Sequence, residues 1–227
     1  MKSITVNTKA SADLDAVIKE EAEQYIPFDI DDVNLDYEII KKHEKERERQ
    51  EEEEKKDLSS EIVDVILVAA KKDMINEYVN MFHLAKLNPI IMDVDAFAIQ
   101  NALEISESEI EGYYALINIG AEEIGINAVK NGVSIFTRDS SYGGKQITEE
   151  IMSAFKVSYE DAEKIKLGGE EVDNTEKLKE IFTSTISLWV DEIKKAIDFI
   201  TATYPDERLE KLYLCGGSCR IPGFQKY

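Results

Sequence analysis

Apolar positions fall into two rhythms along this chain. Leu14, Val17, Ile18, Ala22 and Tyr25 recur at helical spacing behind Ser11, a residue suited to cap a helix, and Pro27 closes the segment. From Asp29 to Ile40 the rhythm changes to strict alternation through Val33, Leu35, Tyr37 and Ile39, which predicts an extended piece. Glu61 to Ala70 is β-branched and apolar and predicts a buried strand. Asp73 then stands where it can cap a helix with an apolar face of Ile75, Val79, Phe82 and Leu87, ended by Pro89. Ile90 to Val94 predicts a short strand and Ala96 to Glu104 another helix. Tyr113 to Ile119, Ile124 to Val129 and Val133 to Thr137 predict an antiparallel meander, with Gly120 breaking the first strand and Asn131-Gly132 turning the hairpin. Helices follow from about Lys145 to Phe155, from the Ser158/Asp161 capping box to about Lys166, and from Thr175 to about Tyr204. Trp189 lies on the apolar stripe of the last of these and is expected in the core. Lys211 to Cys215 predicts a final strand before Gly216-Gly217.

One stretch has neither rhythm. Lys41 to Asp57 carries seven Lys/Arg and eight Asp/Glu and no apolar residue, so it cannot pack and reads as a solvated loop or a protruding helix. That stretch is nearly neutral, yet the 227 residues hold 27 Lys+Arg against 47 Asp+Glu, a net charge of −20. The acidity is therefore spread over the remaining surface. It argues against a nucleic-acid binder and against direct adhesion to an anionic membrane. A nucleotide ligand stays open, because backbone N–H groups and Mg²⁺ can hold phosphates.

No apolar run approaches the roughly twenty residues of a membrane span, and the start of the chain has no signal-peptide core; the cytoplasm is the expected compartment. Cys215 and Cys219 are too few for a disulfide framework or a structural zinc site and are expected to be reduced and structural. His43 and His83 are the only histidines, which leaves no credible Ser/His/Asp or Cys/His constellation. Neither a Walker A pattern nor G-x-G-x-x-G is present. The candidate chemistry rests on three glycine turns: Gly120, Gly143-Gly144 and Gly216-Gly217-Ser218. Each lets backbone approach a phosphate closely, and Gly143-Gly144 precedes a helix N-terminus, where an anion is favoured.

The segment Glu21-Ala22-Glu23-Gln24-Tyr25-Ile26-Pro27-Phe28, with Val33-Asn34-Leu35-Asp36-Tyr37, resembles the type IV pilus assembly protein PilM family, actin-like relatives of the cell-division protein FtsA. The resemblance continues through Ile66 to Lys72, Ile91 to Ala98, Asn118 to Ala121, Arg138-Asp139, Gly143 to Thr148, Glu160 to Lys166, Leu214 to Ser218 and Ile221-Pro222-Gly223. It implies a mixed α/β (α+β), actin-like ATPase (RNase H-like) fold, in part. Residues 1–87 would be the inserted SHS2-like subdomain with its charged insertion 41–57, residues 88–105 the remainder of the first actin-like subdomain, and residues 111–227 the second lobe. The resemblance also implies a nucleotide site for ATP and Mg²⁺. Gly120, Ala121 and Glu122 would form its second phosphate loop and Gly143 and Gly144 would line the cleft. Glu163 and Lys166 would reach the ribose or adenine, and Gly216, Gly217 and Ser218 would form the adenosine loop.

The family's first phosphate loop, D-x-G, would precede this chain, and a further helix would follow Phe224; affinity for ATP is accordingly expected to be greatly reduced. Asn118 stands where the family usually has Asp, which weakens a Mg²⁺ or hydrolytic role there. The function implied is that of a cytoplasmic scaffold and not an enzyme. It would dock the cytoplasmic tail of the inner-membrane protein PilN beside the pilus motor and reach the membrane only through partners. The alternatives are an FtsA-like division tether, which needs a C-terminal amphipathic helix, and an actin-fold sugar kinase, which needs a carboxylate base for which the sequence offers no candidate.

Overall fold

The computed structural model describes residues 2–9, 14–43, 60–107, 110, 112–205 and 208–224. The expected cap Ser11 and most of the charged run lie outside the described residues. The chain divides into two compact units, Met1–Met92 and Asp93–Tyr227.

The first unit is a three-stranded antiparallel sheet in the order β1-β3-β2, made of β1 (Lys2–Lys9), β2 (Val33–His43) and β3 (Ser60–Lys71). Alternation sends Ile4, Val6, Val63, Val65 and Leu67 to one face, where Ile18 and Ala22 of α1 (Leu14–Glu23) cover them. Leu35, Tyr37 and Ile39 join that face, as their spacing predicts. A register shift between Ile39 and Lys41 interrupts the pairing of β2 with β3. The helix α1 ends at Glu23 and not at Pro27, and a short 3₁₀ turn, Ile30–Asp32, is capped by Asp29, which accepts from the Asp31 N–H at 2.9 Å.

The helix α2 (Lys72–Leu84) follows β3 directly. Asp73 does not cap it: Lys71 is the N-cap residue and Asp73 lies inside the first turn, where a carboxylate still complements the helix dipole. No residue of α2 is buried, and Leu87 lies beyond its end. His83 is exposed in its last turn. The strand expected at Ile90 to Val94 does not form; the segment is irregular and joins neither sheet, so its apolar side chains have no cross-strand neighbours, with Ile90 84 % and Ile91 82 % exposed.

The second unit holds a four-stranded sheet in the order β6-β5-β4-β7. Here β4 (Tyr113–Ile119), β5 (Ile124–Lys130) and β6 (Val133–Ser140) form the antiparallel meander, while β7 (Lys211–Cys215) runs parallel to β4. Asn131 (φ 51°) and Gly132 (φ 78°) both adopt positive φ, the type I′ geometry that matches strand twist. Both faces of β4 are covered. Ile117 and Ile119 pack under α4 (Gly144–Phe155), α5 (Tyr159–Lys166) and α6 (Thr175–Thr203), with Trp189 fully buried among them. Tyr114 and Leu116 face Ile99 and Leu103 of α3 (Asp95–Ser106). A buried polar network also ties α3 to the sheet. Gln100 donates to the Gly132 carbonyl at 2.9 Å, and Ser134 donates to the Asn127 side-chain oxygen at 2.6 Å. No helix among the described residues is long and apolar enough to cross a membrane.

Candidate functional site

Because β4 and β7 are parallel neighbours, both carry the chain towards the same edge of the sheet. The Gly120 turn follows β4 and the Gly216 turn follows β7, with Asn118 paired to Cys215 at the exit, so two turns distant in sequence lie side by side. The carboxyl ends of parallel strands are where open α/β sheets place their ligands. The third turn, Gly143-Gly144, is pinned to the first by backbone. The Gly144 N–H donates to the Gly120 carbonyl at 3.0 Å, and the Lys145 N–H donates to the Ala121 carbonyl at 2.8 Å. Ser218 completes the junction by donating its hydroxyl to the same Gly120 carbonyl at 2.7 Å.

These contacts explain the glycines. A Cβ on Gly143 would lie 2.3 Å from the Ala121 carbonyl oxygen, and one on Gly144 would lie 2.3 Å from Ser218 Oγ. At Gly216, with φ of +94°, it would lie 2.4 Å from the Ile119 carbonyl oxygen. A Cβ on Gly217 meets nothing within 4 Å, so space opens beside that residue. The first N–H groups of α4 are spent on the Gly120 and Ala121 carbonyls, so the negative partner at this helix N-terminus is the protein's own backbone. Among the described residues, the N–H groups of Ala121, Glu122 and Gly217 are among those in these turns with no protein acceptor, and they can serve an anion.

Glu163 and Lys166 lie one helical turn apart on α5. The buried Lys166 ammonium donates at 2.6 Å to Glu163 Oε1, at 2.9 Å to Thr148 Oγ1 and at 3.3 Å to the Gly144 carbonyl. Its three donors are thereby all engaged. Burial pushes the Glu163 carboxyl up, but the hydrogen bonds from Lys166 and Thr148 and the ammonium charge outweigh it and hold the group below its usual range. At the surface, Lys145 and Glu122 form an exposed 2.8 Å ion pair, which lowers the carboxyl of Glu122 and raises the ammonium of Lys145. Cys219 donates its thiol to the Cys215 carbonyl at 2.9 Å; both cysteines are free, and burial raises both thiols, which makes them poor nucleophiles.

All ten candidate residues thus belong to the second unit, and hydrogen bonds link the three turns to the α5 pair. Sequence reading gives no role to Thr148 or Lys145. The signal for Thr148 is its place one turn after Gly144, which puts its hydroxyl 3.1 Å from the Gly144 carbonyl. The residues present fit a nucleotide: free N–H groups for phosphate, open space at Gly217, and a carboxylate with one oxygen unbonded for a ribose hydroxyl.

The chain is similar in structure to a chain of a PilM–PilN type IV pilus biogenesis complex, with a TM-score of 0.70 and 22 % identity over 99 % of this chain. It spans 62 % of the length of that relative. It is also similar to MreB5 of Spiroplasma citri bound to ADP, with a TM-score of 0.51, 14 % identity and coverage of 70 % of this chain and 57 % of that one. The same MreB5 bound to AMPPNP gives a TM-score of 0.50 at 13 % identity, with coverage of 69 % and 56 %. The fold is therefore actin-like, as the glycine turns and the mixed sheet suggest. The family model described as type IV pilus assembly protein PilM matches residues 1–227, and the chain belongs to that family.

Proposed function

We propose that this chain acts in type IV pilus assembly as a nucleotide-binding, actin-like scaffold that docks the cytoplasmic tail of PilN. The observation that carries this reading is the family match over residues 1–227, together with a structural relative named as a PilM–PilN complex. Residues 1–87 serve as the inserted subdomain, residues 88–105 as the end of the first actin-like subdomain and residues 111–227 as the second lobe. With a net charge of −20 the protein sits at the cytoplasmic side of the inner membrane through its partners and not through anionic lipid.

At the site, the N–H groups of Ala121 and Glu122 take the phosphates of ATP, Glu163 takes the ribose, and the Gly216-Gly217-Ser218 turn flanks the adenosine. Gly143, Gly144 and Lys166 hold these groups in place. Bound Mg²⁺ would neutralise phosphate charge; Asn118, at the exit of β4, offers it only a neutral oxygen. This donor set favours binding over turnover, which suits a scaffold.

A pull-down with a synthetic peptide of the PilN cytoplasmic tail, with and without Mg·ATP, tests the reading. Capture of the peptide is expected, and capture that changes with Mg·ATP would tie the nucleotide site to partner docking. No capture in either condition overturns the pilus-scaffold reading in favour of another actin-fold role.

A further inference from the structure

The nucleotide site contains one buried side chain that the proposed reading leaves without a role. Thr148 is 0 % exposed and lies between the Gly143-Gly144 turn and the α5 pair. Its oxygen accepts from Lys166 Nζ at 2.9 Å. Its single proton has two acceptors in reach, the Gly144 carbonyl at 3.1 Å and the nearer Glu163 Oε1. Lys166 donates to that same Oε1 at 2.6 Å. Two donors from different directions therefore converge on one carboxylate oxygen and stop the group from rotating. Glu163 Oε2, on a side chain 30 % exposed, is the acceptor that remains for a ligand.

We propose that Thr148 is a positioning residue that orients Glu163 towards a ribose hydroxyl and so makes the site select ribonucleotides over 2′-deoxyribonucleotides. The inference rests on the nucleotide reading above. Lys166 alone supplies charge along one direction and leaves the carboxylate free to turn about that bond. The Thr148 hydroxyl supplies the second direction. It is also tied to the backbone, because the Lys166 ammonium that donates to the Thr148 oxygen also donates to the Gly144 carbonyl, while the Gly144 N–H donates to the Gly120 carbonyl of the phosphate loop. A chain of hydrogen bonds thereby connects the residues proposed for phosphate with the residue proposed for ribose. Selection follows from chemistry: an oriented acceptor left unpaired beside a deoxyribose costs binding, whereas a freely turning one can rehydrate.

The test uses the full chain as wild type, Thr148→Val, Thr148→Ala and Thr148→Ser. The Glu163 carboxyl is followed by NMR through a pH titration, and ATP and 2′-deoxy-ATP are titrated separately. Wild type and Thr148→Ser are expected to prefer ATP, by about tenfold for one hydrogen bond to a charged group. Thr148→Val and Thr148→Ala are expected to lose that preference, and their Glu163 midpoint should rise. Thr148→Ala places no methyl against the carboxylate, so a rise in both variants separates the lost hydroxyl from added crowding. The proposal is overturned if either folded variant keeps the wild-type midpoint and the wild-type preference. If the wild type binds neither nucleotide, the nucleotide reading and the selectivity fail together. The Glu163 midpoint then still shows whether Thr148 orients the carboxylate.

Discussion

Gly143→Ala is expected to destabilise the second unit by about 1–3 kcal/mol and to weaken ATP binding with it. The reason is steric and not conformational. Gly143 has φ −175° and ψ 177°, an extended backbone that any residue adopts, but its Cβ would stand 2.3 Å from the Ala121 carbonyl oxygen and 2.7 Å from the Glu122 nitrogen. Those are backbone atoms, so the clash cannot be relieved by turning a side chain. Either the Gly120 loop moves or the bonds from Gly144 and Lys145 to its carbonyls lengthen. Gly217→Ala is the matched control, since its Cβ meets nothing within 4 Å and stability should stay within about 0.5 kcal/mol of wild type. That Cβ enters the open space assigned to the adenosine, so nucleotide affinity should fall without loss of fold. Thermal melts and ATP titrations of both variants check the pair. A Gly143→Ala protein that melts like wild type would remove the packing account of the three turns, and a Gly217→Ala protein with unchanged affinity would remove the adenosine from that space.

Much of the second unit can be read in the sequence because its signals are local. The apolar run Tyr113 to Ile119, the Asn131-Gly132 turn and the Ser158 cap each fix a few residues by chemistry that neighbours do not override, and the structure forms all three. Ile90 to Val94 shows the limit: β-branched residues make a strand only where a neighbouring strand pairs with them, and this segment joins neither sheet. The strand β1 fails the other way. Ile4 and Val6 alternate with polar neighbours, but the pattern spans too few residues to stand out until β3 pairs with it. Site residues divide on the same principle. Glycines announce turns singly, whereas their meeting depends on β7 returning parallel to β4 after three helices, which no local spacing encodes. The expected anion preference at the start of α4 is real physics met by an unforeseen partner, the carbonyls of the Gly120 loop. Thr148 stays silent for a related reason, since a threonine one turn into a helix is ordinary until α5 brings a carboxylate and an ammonium to it.

Lys166→Met is expected to cost about 2 kcal/mol of stability at neutral pH. Breaking a buried ion pair commonly costs about 3–5 kcal/mol, and the part of Glu163 that reaches solvent lets it rehydrate and lowers that figure. The change keeps the length and apolar stem of the side chain but removes the donor shared by Glu163, Thr148 and the Gly144 carbonyl. Its pH dependence is the sharper signature. In the wild type, burial raises the Glu163 carboxyl, but the two hydrogen bonds and the lysine charge win and leave it below the unfolded value of about 4.3. The carboxylate therefore contributes stability that is fully present above that unfolded value and is lost as pH falls through the lower folded one. In Lys166→Met the burial remains while the main opposing influence is gone. The folded carboxyl then lies above its unfolded value, and the ionised group costs stability at neutral pH, a cost relieved on acidification. The stability gap between the two proteins should be widest near neutral pH and should narrow as pH falls, first through the variant's raised carboxyl and then, below about 4.3, through the wild type's lowered one. Denaturant melts from pH 3 to 7 measure it directly. A gap that stays constant across that range would show that Lys166 acts through packing alone, and that the link from the glycine turn to Glu163 is not electrostatic.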